Sequence, residues 1–128
     1  MAKQKILLVE DNPVNRRLAE FLLRSNGYQV VEASTSEEAF QLVKTEQPDL
    51  ILMDIQLRGM DGLEVTKLLK ENPETRDIPV LAVTSYAMKG DREKALAVGC
   101  AGYITKPIDK TILLKQVANT LVETSTKV

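Results

Sequence analysis

Five short apolar runs punctuate the chain, and a longer stretch of helical periodicity follows each of them. Ile6-Leu7-Leu8-Val9, the run from Asp49 through Leu50-Ile51-Leu52-Met53 to Asp54, and Ile78-Pro79-Val80-Leu81-Ala82-Val83 are too short for globular helices. They read as strands buried on both faces. Gln29-Val30-Val31-Glu32-Ala33 is more polar and suits an edge strand, and Gly102-Tyr103-Ile104 is a brief last strand.

The stretches between carry helix signals. Asn12 before Pro13 is an amide N-cap followed by a residue whose missing N–H would be unpaired in any case. Val14, Leu18, Phe21 and Leu22 then recur at helical spacing and Gly27 supplies a left-handed cap, so the first helix spans about residues 13 to 26. Ser34-Thr35-Ser36 offers several N-caps, and Glu37 and Glu38 allow a capping box in either register. Ala39, Phe40 and Val43 form the core face of this second helix, which Pro48 ends. Ile55 to Gly62 is a loop, with Asp61-Gly62 at a helix start; Val65, Leu68 and Leu69 define a third helix that stops before Pro73. The fourth helix, Lys89 to Val98, has little bulky apolar content and is expected to be the least firmly packed, with Lys89, Arg92 and Lys94 on a solvated face and Gly99 as its cap. Asp109 caps a fifth helix carrying Leu113, Leu114, Val117 and Leu121, and Glu123 to Val128 reads as a polar tail.

Five alternations of strand and helix predict an α/β doubly wound domain with a mainly parallel sheet. Ligands of such sheets bind beyond the C-terminal ends of the strands, where the strand order reverses. Glu10, Asp11, Asp54, Thr84 and Lys106 all stand at predicted strand C-termini.

Composition narrows the reading. The 128 residues, 44% hydrophobic, fit one domain over 1–128 with a core from about 5 to 122. A formal charge of −1 gives no global field toward nucleic acid or a membrane surface, and no apolar run approaches spanning length. A soluble cytoplasmic protein, monomeric or weakly dimeric, is expected. The chain has no histidine, which removes the usual general base and the commonest zinc ligand. Its one cysteine, Cys100, reads as a small buried residue.

Carboxylates converging from Glu10, Asp11 and Asp54 must take up protons or bind a cation. With oxygen ligands only, Mg2+ fits better than zinc or copper. Thr84 and Lys106 make sense if Asp54 receives a phosphoryl group, since transfer then requires neutralising the three equatorial oxygens, and an ionised carboxylate needs no base.

In Leu8-Val9-Glu10-Asp11-Asn12, Pro48 to Asp54, Met60-Asp61-Gly62, Thr84-Ser85 and Tyr103-Ile104-Thr105-Lys106-Pro107, taken in this order, the chain resembles the receiver domain of two-component response regulators. The resemblance covers essentially the whole length. It implies a flavodoxin-like doubly wound five-stranded parallel sheet, order 2-1-3-4-5, with five helices. It implies Asp54 as phosphoacceptor, Glu10 and Asp11 with the main-chain carbonyl of Gln56 at Mg2+, Thr84 and Lys106 on the phosphoryl group, and Tyr103 as a switch aromatic. A cis Lys106-Pro107 peptide is also implied. The donor would be a histidine kinase or histidine phosphotransfer protein, and the output surface would lie on helix 4, strand 5 and helix 5. Ala87-Met88-Lys89-Gly90-Asp91 looks most like stand-alone regulators of the DivK type. Arg58 departs from the family, which usually has proline there, and could alter turnover or kinase choice.

The expectation is thus a phosphorylation-dependent signalling switch whose only catalysis is its own aspartyl phosphorylation and dephosphorylation. One rival is a magnesium-dependent phosphatase resembling the haloacid dehalogenases. Those usually carry a second aspartate where Gln56 stands, and a cap domain that this length cannot hold. The others are a phosphorylation-independent scaffold and a domain from a hybrid kinase.

Overall fold

The structure is a computed structural model that describes residues 4–57, 61–84 and 90–126. Five strands, β1 (Lys5–Val9), β2 (Gln29–Ala33), β3 (Leu50–Asp54), β4 (Val80–Thr84) and β5 (Gly102–Thr105), form one sheet in the order β2-β1-β3-β4-β5, with every pair parallel. Between and after them run α1 (Pro13–Ser25), α2 (Ser36–Glu46), α3 (Gly62–Glu71), α4 (Asp91–Ala97) and α5 (Lys110–Thr126). This is the doubly wound architecture expected, with β2 at an edge.

Strand periodicity divides the core into two layers. Ile6, Leu8, Leu50, Leu52, Leu81, Val83 and Ile104 point to one face, where α1 and α5 cover them with Ala19, Leu22, Leu23, Leu113, Val117 and Leu121. Leu7, Val9, Ile51, Met53, Val80 and Ala82 point to the other, under Ala39 and Val43 of α2, Val65 and Leu69 of α3, and Ala95 of α4. Because both faces are covered, β3 and β4 are buried at every position and read as unbroken apolar runs. Full burial of each such Leu or Ile stabilises by roughly 1.5–3 kcal/mol.

Helix ends follow the local chemistry. The Asn12 side chain accepts from the N–H groups of Val14 and Asn15, and Gly27 adopts φ 89° beyond α1. Of the two registers open to α2, Thr35 is the cap, accepting from the Glu38 N–H at 3.2 Å. Glu38 turns back onto Ser34, whose hydroxyl and N–H donate to it at 2.6 and 3.3 Å. Asp109 accepts from the Ile112 N–H at the start of α5.

Several expectations need correction. Of the four apolar positions that recur along α1, Leu22 alone lies in the core: Val14, Leu18 and Phe21 are 75%, 45% and 66% exposed, and Ala19 and Leu23 complete the buried face. Periodicity finds a stripe but not its direction, and small Ala19 permits the closer approach to the sheet. Leu68 is likewise exposed. α2 ends at Glu46, with Gln47 taking the left-handed cap at φ 46° before Pro48. β4 begins at Val80, two residues after Ile78, because Pro79 has no N–H to give a neighbouring strand. α5 continues through Thr126, past the point where the tail was placed. α4 begins at Asp91; as expected, it is lightly packed, with Ala95 buried and Leu96 46% exposed. Arg58, Met60, Ser85, Ala87, Met88 and Lys89 lie outside the described residues.

Candidate functional site

At the C-terminal edge of the sheet, where β1 and β3 lie side by side and their crossovers leave on opposite faces, the strand ends bring three carboxylates together. One oxygen from each of Glu10, Asp11 and Asp54 lies within 4.8 Å of the others. Glu10 and Asp54 are each 3% exposed and Asp11 is half-buried. Lys106, just past β5, reaches between them: its Nζ is 2.7 Å from Glu10 Oε1 and 3.2 Å from Asp54 Oδ2.

Each group is held from behind. The Glu10 N–H donates to the Ala33 carbonyl at 3.0 Å, extending the pairing of β1 with β2, and Glu10 Oε2 accepts from the Asn12 N–H at 3.2 Å. The Arg16 guanidinium donates to the Glu10 main-chain carbonyl at 2.9 Å. Asp54 Oδ1 accepts from the Gln56 N–H at 2.9 Å, so both Asp54 oxygens have donors. The Lys106 N–H donates to the Thr84 carbonyl at 2.7 Å, tying the end of β5 to the end of β4, and the Lys106-Pro107 peptide is cis.

Thr84, 1% exposed, ends β4 one residue beyond the partner of Asp54. The two-residue period puts it on the same sheet face as Ala82, and the register sets Tyr103 beside Ala82. Thr84 and Tyr103 therefore share the α4 side of the sheet. Tyr103 is half-buried and lines a shallow cavity of about 340 Å³ with Arg92, Leu96, Ala101, Gly102 and Gln116.

Electrostatics express the crowding. Burial pushes the Glu10 carboxyl up to about 7, reinforced by its hydrogen bond with Asp54 and by that group's charge, and only partly offset by Lys106. Burial alone would lower the Lys106 ammonium, but its hydrogen bond to Glu10 and the charges of Asp54 and Glu10 outweigh it and hold the group above its ordinary value. One ammonium does not balance three carboxylates, and the excess negative charge favours either a proton on Glu10 or a divalent cation. An all-oxygen donor set with a carboxylate at each corner suits Mg2+.

Two contributors escape sequence inspection. Gly62, part of the Met60-Asp61-Gly62 motif and read structurally as a helix start, packs its backbone on β3: a methyl group there would run into the Asp54 carbonyl oxygen and lie 2.6 Å from Ile55 Cα. Only its place after an N-cap aspartate hints at this. Arg16 has the appearance of one more charge on a polar helix face.

The sequence model of the response regulator receiver domain matches residues 6–118. The chain belongs to the receiver domain family. Among its relatives, the polar-differentiation response regulator DivK of Brucella ovis is 49% identical over 105 residues, 82% of this chain and 85% of the relative, and DivK of Brucella melitensis matches equally well. Two solved structures superimpose closely. A CheY-like receiver domain protein from Methanospirillum hungatei has a TM-score of 0.91 at 27% identity, covering 99% of this chain and 100% of that one. The receiver domain of the sensor histidine kinase PA1611 from Pseudomonas aeruginosa, with a magnesium ion coordinated in its active-site cleft, has a TM-score of 0.86 at 37% identity, covering 94% and 98%.

The receiver domain is thus DivK-like, and its function is phosphorylation-dependent signalling in a two-component system. Receiver domains bind Mg2+ at an acidic site, and they act with histidine kinases and downstream partners rather than forming a classical enzyme family. The phosphatase reading is not favoured. No helix among the described residues is long and apolar enough to cross a membrane.

Proposed function

We propose that this receiver domain accepts a phosphoryl group on Asp54 from a phosphohistidine of a histidine kinase or histidine phosphotransfer protein. The observation that carries this reading is the Lys106 ammonium placed between Asp54 and Glu10, with Asp11 beside them. Glu10, Asp11, Asp54 and the Gln56 main-chain carbonyl would hold Mg2+. When bound, the ion supplies positive charge against the oxygens of the transferring group.

An Asp54 oxygen forms the new bond to phosphorus as the phosphorus–nitrogen bond to the donor imidazole breaks, and the electron pair leaves with that nitrogen. The carboxylate has no proton to lose, so the absence of histidine from the chain is no obstacle. Lys106 exchanges a carboxylate partner for a phosphoryl oxygen, and the Thr84 hydroxyl donates to another. Drawing Thr84 toward Asp54 shifts the chain after β4 and leaves room for Tyr103 on the same sheet face. The surface of α4, β5 and α5 then changes for a downstream protein, consistent with the light packing of α4.

The donor is proposed to be a protein because α1 presents Val14, Leu18 and Phe21 to solvent directly after the loop that carries Glu10 and Asp11. A stripe of that kind marks a contact surface. Acetyl phosphate or a phosphohistidine protein, with Mg2+, should label the chain once, at Asp54. Equal labelling of Asp54→Asn would overturn the assignment.

A further inference from the structure

The positive charge at Arg16 is out of place by local rules. It stands in the first turn of α1, its N–H donating to the Asn12 carbonyl at 2.9 Å, and a cation there faces the positive end of the helix dipole. A residue that breaks a local rule points to a tertiary role. The guanidinium makes a 2.9 Å hydrogen bond to the Glu10 main-chain carbonyl.

That carbonyl belongs to the peptide group joining the two acids. A trans peptide is planar, so fixing its oxygen also fixes the direction of the Asp11 N–H and the line along which the Asp11 backbone leaves. Glu10 is secured without Arg16, by its N–H on Ala33 and its carboxylate on Lys106 and the Asn12 N–H. Asp11 is less buried than either of its partners. The orientation of the Glu10–Asp11 peptide is what Arg16 adds.

We propose that Arg16 is a positioning residue for the acid pair: by holding the Glu10 carbonyl it keeps the Asp11 carboxylate within reach of the cation shared with Glu10 and Asp54. This rests on the function proposed above. Charge and position predict opposite signs here, which makes the idea decidable. Removing a cation bonded to the peptide that joins two of the acids should, through charge alone, tighten binding of a divalent ion. Losing the orientation of one ligand should weaken it, and loss of an outer partner of a metal ligand typically costs 10–100-fold in affinity.

The test is calorimetric titration of the full chain with Mg2+ alone, for the wild type, Arg16→Gln, Arg16→Lys and Arg17→Gln. Arg16→Gln should bind Mg2+ roughly tenfold more weakly. Arg16→Lys, which keeps a donor of similar reach, should recover part of the loss, and Arg17→Gln, which removes the same charge from the next position, should not weaken binding. The Mg2+ concentration for half-maximal labelling by acetyl phosphate should rise by the same factor in Arg16→Gln, with the rate at saturating Mg2+ retained. Wild-type or tighter Mg2+ binding by Arg16→Gln overturns the proposal. If that variant lacks the native far-UV spectrum, the lysine variant decides, and affinity no better than one-tenth of wild type there counts against a hydrogen-bonding role. A wild type that binds no Mg2+ removes the functional reading beneath it, an outcome distinct from equal binding by wild type and variant.

Discussion

Replacing Glu10 by glutamine should stabilise the metal-free protein at pH 8, although it removes a 2.7 Å ion pair with Lys106. The carboxyl is raised from 4.5 to about 7, chiefly by burial. Folded Glu10 therefore keeps its proton to a higher pH than unfolded Glu10. The stability contributed by the neutral form is fully present below pH 4.5 and is lost as pH rises through about 7. At 1.36 kcal/mol per unit, ionisation of Glu10 costs the native state roughly 3 kcal/mol by pH 8. Glutamine cannot ionise, and its single amide oxygen can still accept from one of the two donors, Lys106 or the Asn12 N–H. Urea unfolding followed by far-UV circular dichroism, with chelator present and pH stepped from 4.5 to 8.5, reads the effect. The variant and wild type should coincide at the acid end. At pH 8 the variant midpoint should lie higher by about 1–3 M, given a typical urea dependence of about 1–3 kcal/mol per M. Added Mg2+ should then raise the wild type and close the gap, because the ion stabilises the ionised acids. A variant less stable than wild type at pH 8 without metal would show that the pair with Lys106 outweighs the burial of Glu10, and the account of the pocket as electrostatically overloaded would fail.

Gly62→Ala should lower stability by about 1–3 kcal/mol by thermal unfolding, and should slow labelling of Asp54, because the added methyl displaces the backbone of Asp54, the proposed phosphoacceptor. Thr35→Ala should cost about 1 kcal/mol in chemical denaturation through loss of the α2 cap, without altering Mg2+ affinity. Burial pushes the Cys100 thiol up to about 11, so Ellman's reagent at pH 8 should react with it only as fast as the protein opens; rapid reaction of the native chain would contradict its placement. Phe21→Ala should slow transfer from a phosphohistidine protein by about tenfold relative to transfer from acetyl phosphate, as measured by rapid-quench labelling.

The parts of this fold that the sequence carried are those dictated by period and by backbone chemistry. A strand covered on both faces must be apolar throughout, so Leu50 to Met53 announced itself, and the abrupt charge at Asp54 marked where the covering ends. Asn12-Pro13 and Gly27 bounded α1 because an unpaired N–H and a left-handed cap impose requirements that few residues meet. Acids, hydroxyl and lysine at four strand ends converge once the strands run parallel. The order of the strands rested on resemblance, since local periodicity does not say which crossovers reverse.

What lay beyond the sequence depends on which neighbour a residue meets. Val14, Leu18 and Phe21 form as good an apolar stripe as Ala19, Leu22 and Leu23, and only docking on the sheet decides that the second is buried. The approach of Gly62 to the Asp54 carbonyl and of Arg16 to the Glu10 carbonyl joins groups that no spacing rule pairs. The chemistry available to the pocket is written in residue types along single strands. How tightly its charges crowd, and so how far Glu10 is driven from its ordinary ionisation, is decided by the distances at which β1, β3 and β5 set their ends together, because the energies of charge and burial depend on separation and solvent that the linear chain does not contain.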